Sequence, residues 1–171
     1  RRVTRVDRKE KTMGKQPSRP MIRIAESLHC HIPGVRASAQ RWLVGDDIDR
    51  LAGEKHLQHL VTSQVANGAD FLDVNVDNFF TMEGIGYDGA RQVLAHILDL
   101  IAEHGGGVPP CVDSSDPSML EFGLRHYHEK LGGERTPLVN SVTVNRLEAL
   151  EMRQDLRFAV VGMLLEKAGD D

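Results

Sequence analysis

Three short segments of this sequence end in side chains able to grip a polar ligand: Phe71-Leu-Asp-Val-Asn-Val76, Cys111-Val-Asp-Ser-Ser115 and Leu138-Val-Asn-Ser-Val142. The carboxylate of Asp113 can accept two parallel hydrogen bonds from the donor edge of a guanidine-like heterocycle. Asn140 carries a primary amide, donor and acceptor together, and can read a neighbouring edge that offers both functions. Asp73 and Asn75 stand two residues apart, so on a strand they share one face. Glu26, just after a first apolar segment, adds an acid at the same level. Strand-end Asp and Asn also cap helices and fix loops. Their repetition on three consecutive segments favours a shared pocket, because the carboxyl ends of parallel strands converge on one mouth.

Other chemistry is less well supported. His29-Cys30-His31 invites a metal reading, but alternate residues on one strand supply at most two ligands and no matching Cys/His pair follows, so no metal is expected. Ser114-Ser115 lacks the Gly-x-Ser-x-Gly elbow, and no Gly-x-Gly-x-x-Gly or Walker lysine loop follows a strand. His126 and His128 read as structural residues on a helix. No residue is assigned a catalytic role.

Helices and strands must position these groups. Ala90, Val93, Leu94, Ile97, Leu98 and Ile101 recur at helical spacing before Gly105-Gly-Gly107. Ile48 to Ala66 carries Leu57, Leu60, Val61 and Val65 on one face and stops at Asn67-Gly68. A third helix is expected from Pro117, capped by Ser115 or Asp116, and a fourth from Asn145, where Glu148 would complete a capping box. Between them lie apolar runs at Met21 to Ala25, Phe71 to Val76, Pro110 to Ser114, Pro137 to Val142 and Phe158 to Leu164. Five strands alternating with four helices, apolar on both faces, predict a buried parallel sheet, either an open doubly wound sheet or the first five strands of an α/β barrel. The loop from Asp77 to Asp88 could cover a ligand.

At 171 residues, 40% hydrophobic and 27% charged, with a formal net charge of −4, the chain reads as an ordinary globular domain without nucleic-acid or membrane bias. Residues 1 to 20 differ: eight Lys/Arg face two acids with almost nothing apolar to bury, which predicts a disordered basic leader ahead of one domain over 21–171. No apolar run approaches the ~20 residues of a bilayer span. Cys30 and Cys111 have no disulfide or zinc spacing, so a reducing cytoplasm is the expected setting.

With those residues in hand, the strand segments resemble the pterin-binding domain family, and among its members most resemble the methyltetrahydrofolate-binding barrel of cobalamin-dependent methyltransferases. The resemblance runs from about Ile22 to Leu165. It implies a parallel (β/α) barrel of TIM type, here incomplete at about five strands and four helices. It also implies pterin contacts from Asp113 and Asn140, with Asp73 and Asn75 as the Asp-x-Asn of the second strand and Glu26 as the acid of the first. Methyltetrahydrofolate would be the substrate, and cobalamin would ride on a separate corrinoid-carrying domain or protein, since no Asp-x-His-x-x-Gly motif occurs here. Dihydropteroate synthases share the barrel but carry a Gly-Gly-Glu-Ser type second strand, which Asp73-Val-Asn-Val76 lacks. The family's first strand reads Gly-Glu-Arg-x-Asn, of which Ala25-Glu26-Ser27-Leu28-His29 keeps only the glutamate. The second pterin-binding Asp and an Asn associated with N5, from later strands, have no counterpart, and an open edge after the fifth strand predicts self-association. Alternative readings are a dihydropteroate-synthase-like condensing enzyme and a non-catalytic pterin-binding scaffold.

Overall fold

The computed structural model describes residues 21–131, 135–144 and 146–163, so the basic leader lies outside the described residues. Five parallel strands form one sheet in chain order: β1 (Ile24–His29), β2 (Phe71–Asn75), β3 (Pro110–Asp113), β4 (Leu138–Val142) and β5 (Ala159–Gly162). Four α-helices lie between them: α1 (Pro33–Val44), α2 (Asp47–Ala66), α3 (Gly86–His104) and α4 (Pro117–Leu131). Strands that follow one another in sequence and pair in parallel, each crossover helical, make this a partial parallel (β/α) barrel.

The strand register sorts the side chains onto two faces. Leu72, Val74, Val112 and Val139 alternate with the polar positions and are fully buried against the helices. One apolar cluster joins Leu28, Leu72 and Val74 to Leu57 and Val61 of α2 and to Val93, Leu94, Ile97 and Ile101 of α3. A second joins Val112 and Val139 to Leu120, Leu124 and Phe158. Each such fully buried aliphatic side chain contributes about 1.5–3 kcal/mol relative to exposure. The stripe on α3 predicted from spacing is buried along its length, from Ala90 to Ile101.

Local chemistry sets the helix ends. The side chain of Asp46 accepts from the backbone N–H groups of Ile48 (3.0 Å) and Asp49 (2.9 Å), fixing the start of α2, an interaction typically worth about 1 kcal/mol. Asp116 caps α4 by accepting from the Met119 N–H at 3.0 Å, one of the two caps expected there. Gly86, at a positive φ of 62°, admits the tight turn that begins α3.

Three expectations are corrected. β1 runs from Ile24 to His29 rather than from Met21 to Ala25: its ladder with β2 shifts register between Ala25 and Leu28, and such an irregularity leaves no trace in hydropathy. Glu26 is thus within the strand and His29 at its end. α1 has no counterpart in the sequence reading, because it buries only Val35, Ser38 and Ala39 and shows no broad apolar stripe. It packs on α2 so closely that a Cβ on Gly53 would collide with the Ser38 carbonyl oxygen. The expected fourth helix is a 3-10 stretch over Leu147–Gln154 with no side-chain cap, and the proposed cap, Asn145, lies outside the described residues.

Candidate functional site

On the face turned away from the helices, register places the polar residues in two rows. His29, Asn75, Asp113 and Asn140 are successive partners across β1, β2, β3 and β4 at the carboxyl ends of the strands. One pleat below, Asp73 is level with Cys111 and Leu138. Strand alternation therefore brings together the Asp73, Asn75, Asp113 and Asn140 expected from sequence.

They are bound to one another. Asn75 Nδ2 donates to Asp113 Oδ2 at 3.0 Å, and Asn140 Nδ2 donates to Asp73 Oδ2 at 3.1 Å. Asp73 is fully buried, and its other oxygen, Oδ1, faces His29 Nε2 at 3.2 Å, while the same nitrogen stands 3.6 Å from Asp113 Oδ2. The bond to Asp73 and the charges of Asp73, Asp113 and Glu26 hold the His29 imidazole above its ordinary pKa, against the opposing effect of burial. Burial pushes the Asp113 carboxyl up, and the Asp73 charge adds to this; the Asn75 donor and His29 pull it back. Burial first, then the neighbouring carboxylates, raise the Cys111 thiol far enough to keep it a neutral, unreactive group. Both cysteines are free and buried, and burial pushes Cys30 up to about 12.

The loop beyond β2 is fastened to the same rim. The Asp77 carboxylate accepts from Ser114 Oγ, Ser115 N and Ser115 Oγ, each at 2.7 Å, and its own N–H donates to Asn75 Oδ1 at 3.0 Å. Ser114 Oγ in turn accepts from the Asp116 N–H at 3.1 Å, and Arg146 donates to the Ser114 carbonyl at 2.8 Å. The near end of the loop expected to cover a ligand is thus tied down through Ser114 and Ser115.

Glu26 stands apart from the bonded cluster. It is exposed, with no hydrogen bond or ion pair among the described residues, and acts on His29 and Cys111 only through its charge. His29 and Asp77 are the members that sequence reasoning missed. For His29 the available signal was its place at the end of a strand paired beside Asp73-Val-Asn75. His29 Nε2 and oxygens of Asp73 and Asp113 lie within 4.8 Å of one another, a spacing at which a cation could be held. Here, however, amide and imidazole donors already occupy those oxygens, and the arrangement is that of an ion pair braced by amides.

His126 and His128 link elements far from the strand ends, His126 to Asp99 of α3 at 2.8 Å and His128 to the Arg157 carbonyl at 2.8 Å. A groove of about 350 Å³ between α3 and α4 is lined by Tyr87, Arg91, Phe122 and Arg125 among others. Arg91 there stacks on Phe122 and Arg125 pairs with Glu121, so its cations are engaged.

A family model described as "Pterin binding enzyme" matches residues 49–170, well over half of the chain. The chain belongs to the pterin-binding enzyme family. The match spans β2 to β5, and with them Asp73, Asn75, Asp113 and Asn140, and leaves β1 with His29 outside. No curated protein matches the chain. A pterin-binding enzyme built on a partial barrel is consistent with a polar mouth at the strand ends. No helix among the described residues is long and apolar enough to cross a membrane.

Proposed function

We propose that the strand-end cluster holds the pyrimidinone edge of methyltetrahydrofolate, and that the domain serves transfer of the N5 methyl group to a corrinoid carried by a partner protein or domain in the cytoplasm. The observation that carries this reading is the row Asn75, Asp113 and Asn140, brought level by register on three adjacent parallel strands. Asp113 is partly open and presents its carboxylate to the donor edge, Asn140 meets the adjoining donor and acceptor, and Asn75 and Asp73 orient those two from behind. Such a set positions a ring without breaking a bond in it. A tertiary amine is a poor leaving group, so the reaction also requires a hydrogen bond or proton at N5 and an acceptor in line with the methyl group. No Asp-x-His-x-x-Gly motif occurs in the sequence, so cobalamin would belong to the partner.

Methyl transfer is favoured over pterin condensation by Asp73-Val-Asn-Val76, which stands where the condensing enzymes have their Gly-Gly-Glu-Ser type sequence. Calorimetric titration with methyltetrahydrofolate should show binding that is lost in Asp113→Asn. Absence of binding, or binding indifferent to that change, overturns the pocket. Methylation of a Co(I) corrinoid by the bound ligand then supports the transfer reaction, whereas turnover of aminobenzoate with a pterin pyrophosphate replaces it with condensation.

A further inference from the structure

Among the described residues, His29 is the one basic side chain that faces Asp73 and Asp113, and nothing in the strand-end motif calls for it. Asp73 and Asp113 on neighbouring strands would both carry charge around a largely dehydrated mouth, and two carboxylates sharing one site resist joint ionisation. His29 Nε2 faces both, at 3.2 and 3.6 Å, with its side chain 18% exposed against 0% for Asp73 and 22% for Asp113. Among the described residues, no Lys or Arg pairs with Asp73 or Asp113. Around His29, from β1 comes exposed Glu26, and from the turn after it His31, whose ring centre is 6.5 Å away; from β2 and its loop come Asn75 and Asp77; from β3 the neutral Cys111; and from β4 the amide of Asn140. Asp77 is satisfied separately by Ser114 and Ser115.

We propose that His29 sets the charge of the ligand this mouth accepts: its imidazolium, shared between Asp73 and Asp113, cancels one carboxylate and biases the pocket toward a neutral donor-edge heterocycle against a cationic one. This rests on the pterin reading of the same pocket. Asp113 Oδ2 is shared between Asn75 and His29, so an arriving donor edge takes over a contact already matched in charge, and Asp73 keeps its partner. Without His29 the two carboxylates would be left to attract whatever cation fits, because an attraction at such separations is worth several-fold more in a half-buried site than in bulk water.

The test compares wild type, His29→Asn and His29→Lys at about pH 6, where the imidazole is charged. Two probes without charged tails are titrated into each: a simple pterin, neutral at that pH, and a 2,4-diaminopyrimidine, cationic at that pH. His29→Asn should move the ratio of the two dissociation constants by about tenfold or more toward the cationic probe, and His29→Lys, which keeps the charge but not the ring, should restore the wild-type ratio. Because both probes read the same variant, any loss of folded protein affects them alike and leaves the ratio intact. An unchanged ratio in His29→Asn, or His29→Lys behaving like His29→Asn, overturns the role of His29 alone. Failure of wild type to bind either probe overturns the pocket as well.

Discussion

Asn140→Ala removes the donor that Asp73 Oδ2 depends on, and the structure allows the cost to be worked out. Asp73 is fully buried, and Asn140 Nδ2 is its partner at 3.1 Å, with His29 on the other oxygen. A hydrogen bond to a charged group contributes about 1.5–3 kcal/mol, and leaving the charged partner unsatisfied incurs its desolvation. Asn140 is itself partly exposed, so water can reach part of the gap and the loss should fall in the lower half of that range, about 1.5–2 kcal/mol. For a domain of this size each kcal/mol moves the melting temperature by ~2–4 °C, which gives a drop of roughly 3–8 °C. Asn140→Asp should cost more, since it sets a second carboxylate against Asp73. Urea unfolding and thermal melts of both variants, together with Asp73→Ala and the Asp73→Ala/Asn140→Ala double variant, check this. A coupling energy of about 1 kcal/mol or more is expected from the cycle. An Asn140→Ala protein within ~0.5 kcal/mol of wild type, with no coupling to Asp73, would refute the claim that this amide braces the buried carboxylate.

Two further outcomes are expected. His96 stacks flat on Trp42, with ring centres 3.8 Å apart and planes at 6°, and burial holds its pKa below the ordinary value, so it stays neutral in the fold while the unfolded chain takes up a proton as the pH drops. Stability from this group is therefore present above about pH 6.5 and lost below it; denaturation midpoints should fall on acidification, with a slope reduced in His96→Phe, and Trp42, the sole tryptophan, should change its emission over the same interval. Asp77→Ala removes three acceptor contacts at the rim and should cost about 1–2 kcal/mol, discounted because Ser115 is exposed, measured by urea unfolding; a loss under ~0.3 kcal/mol would mean that water replaces Ser114 and Ser115 without penalty.

The parts of the fold legible in the sequence are those written in strong periodicity or in repeated chemistry. α3 shows itself through six apolar residues at helical spacing, and β2, β3 and β4 through apolar runs closed by Asp or Asn. α1 is not legible that way: its contact with α2 sets Gly53 against the backbone of Ser38 and Trp42, where close approach replaces a wide apolar stripe. The start of β1 was misplaced because the exposed Met21 and Ile22 are as apolar as a strand, while Glu26 and His29, which are in the strand, are not. The candidate site followed the same division. Asp73, Asn75, Asp113 and Asn140 are legible because they lie at the ends of apolar runs, and the pairing of β2, β3 and β4 brings them together. In the sequence His29 shows only a weak metal pairing with His31, since only the pairing of β1 with β2 reveals that its neighbours are carboxylates from other strands. Glu26, singled out by its position in sequence, remains outside the bonded cluster.

The bonds that build the strand-end cluster join residues 38, 44 and 67 positions apart. None can form within a single hairpin or helix, so the mouth has no local existence: it appears only once β1 to β4 have all docked. A ligand held there consequently binds the native sheet and has nothing to recognise in a partly assembled chain. At a concentration 100 times its dissociation constant it would add about 2.7 kcal/mol to the stability of the docked strands together. Occupancy of the pocket and cooperative folding of the half-barrel are, in that sense, a single equilibrium.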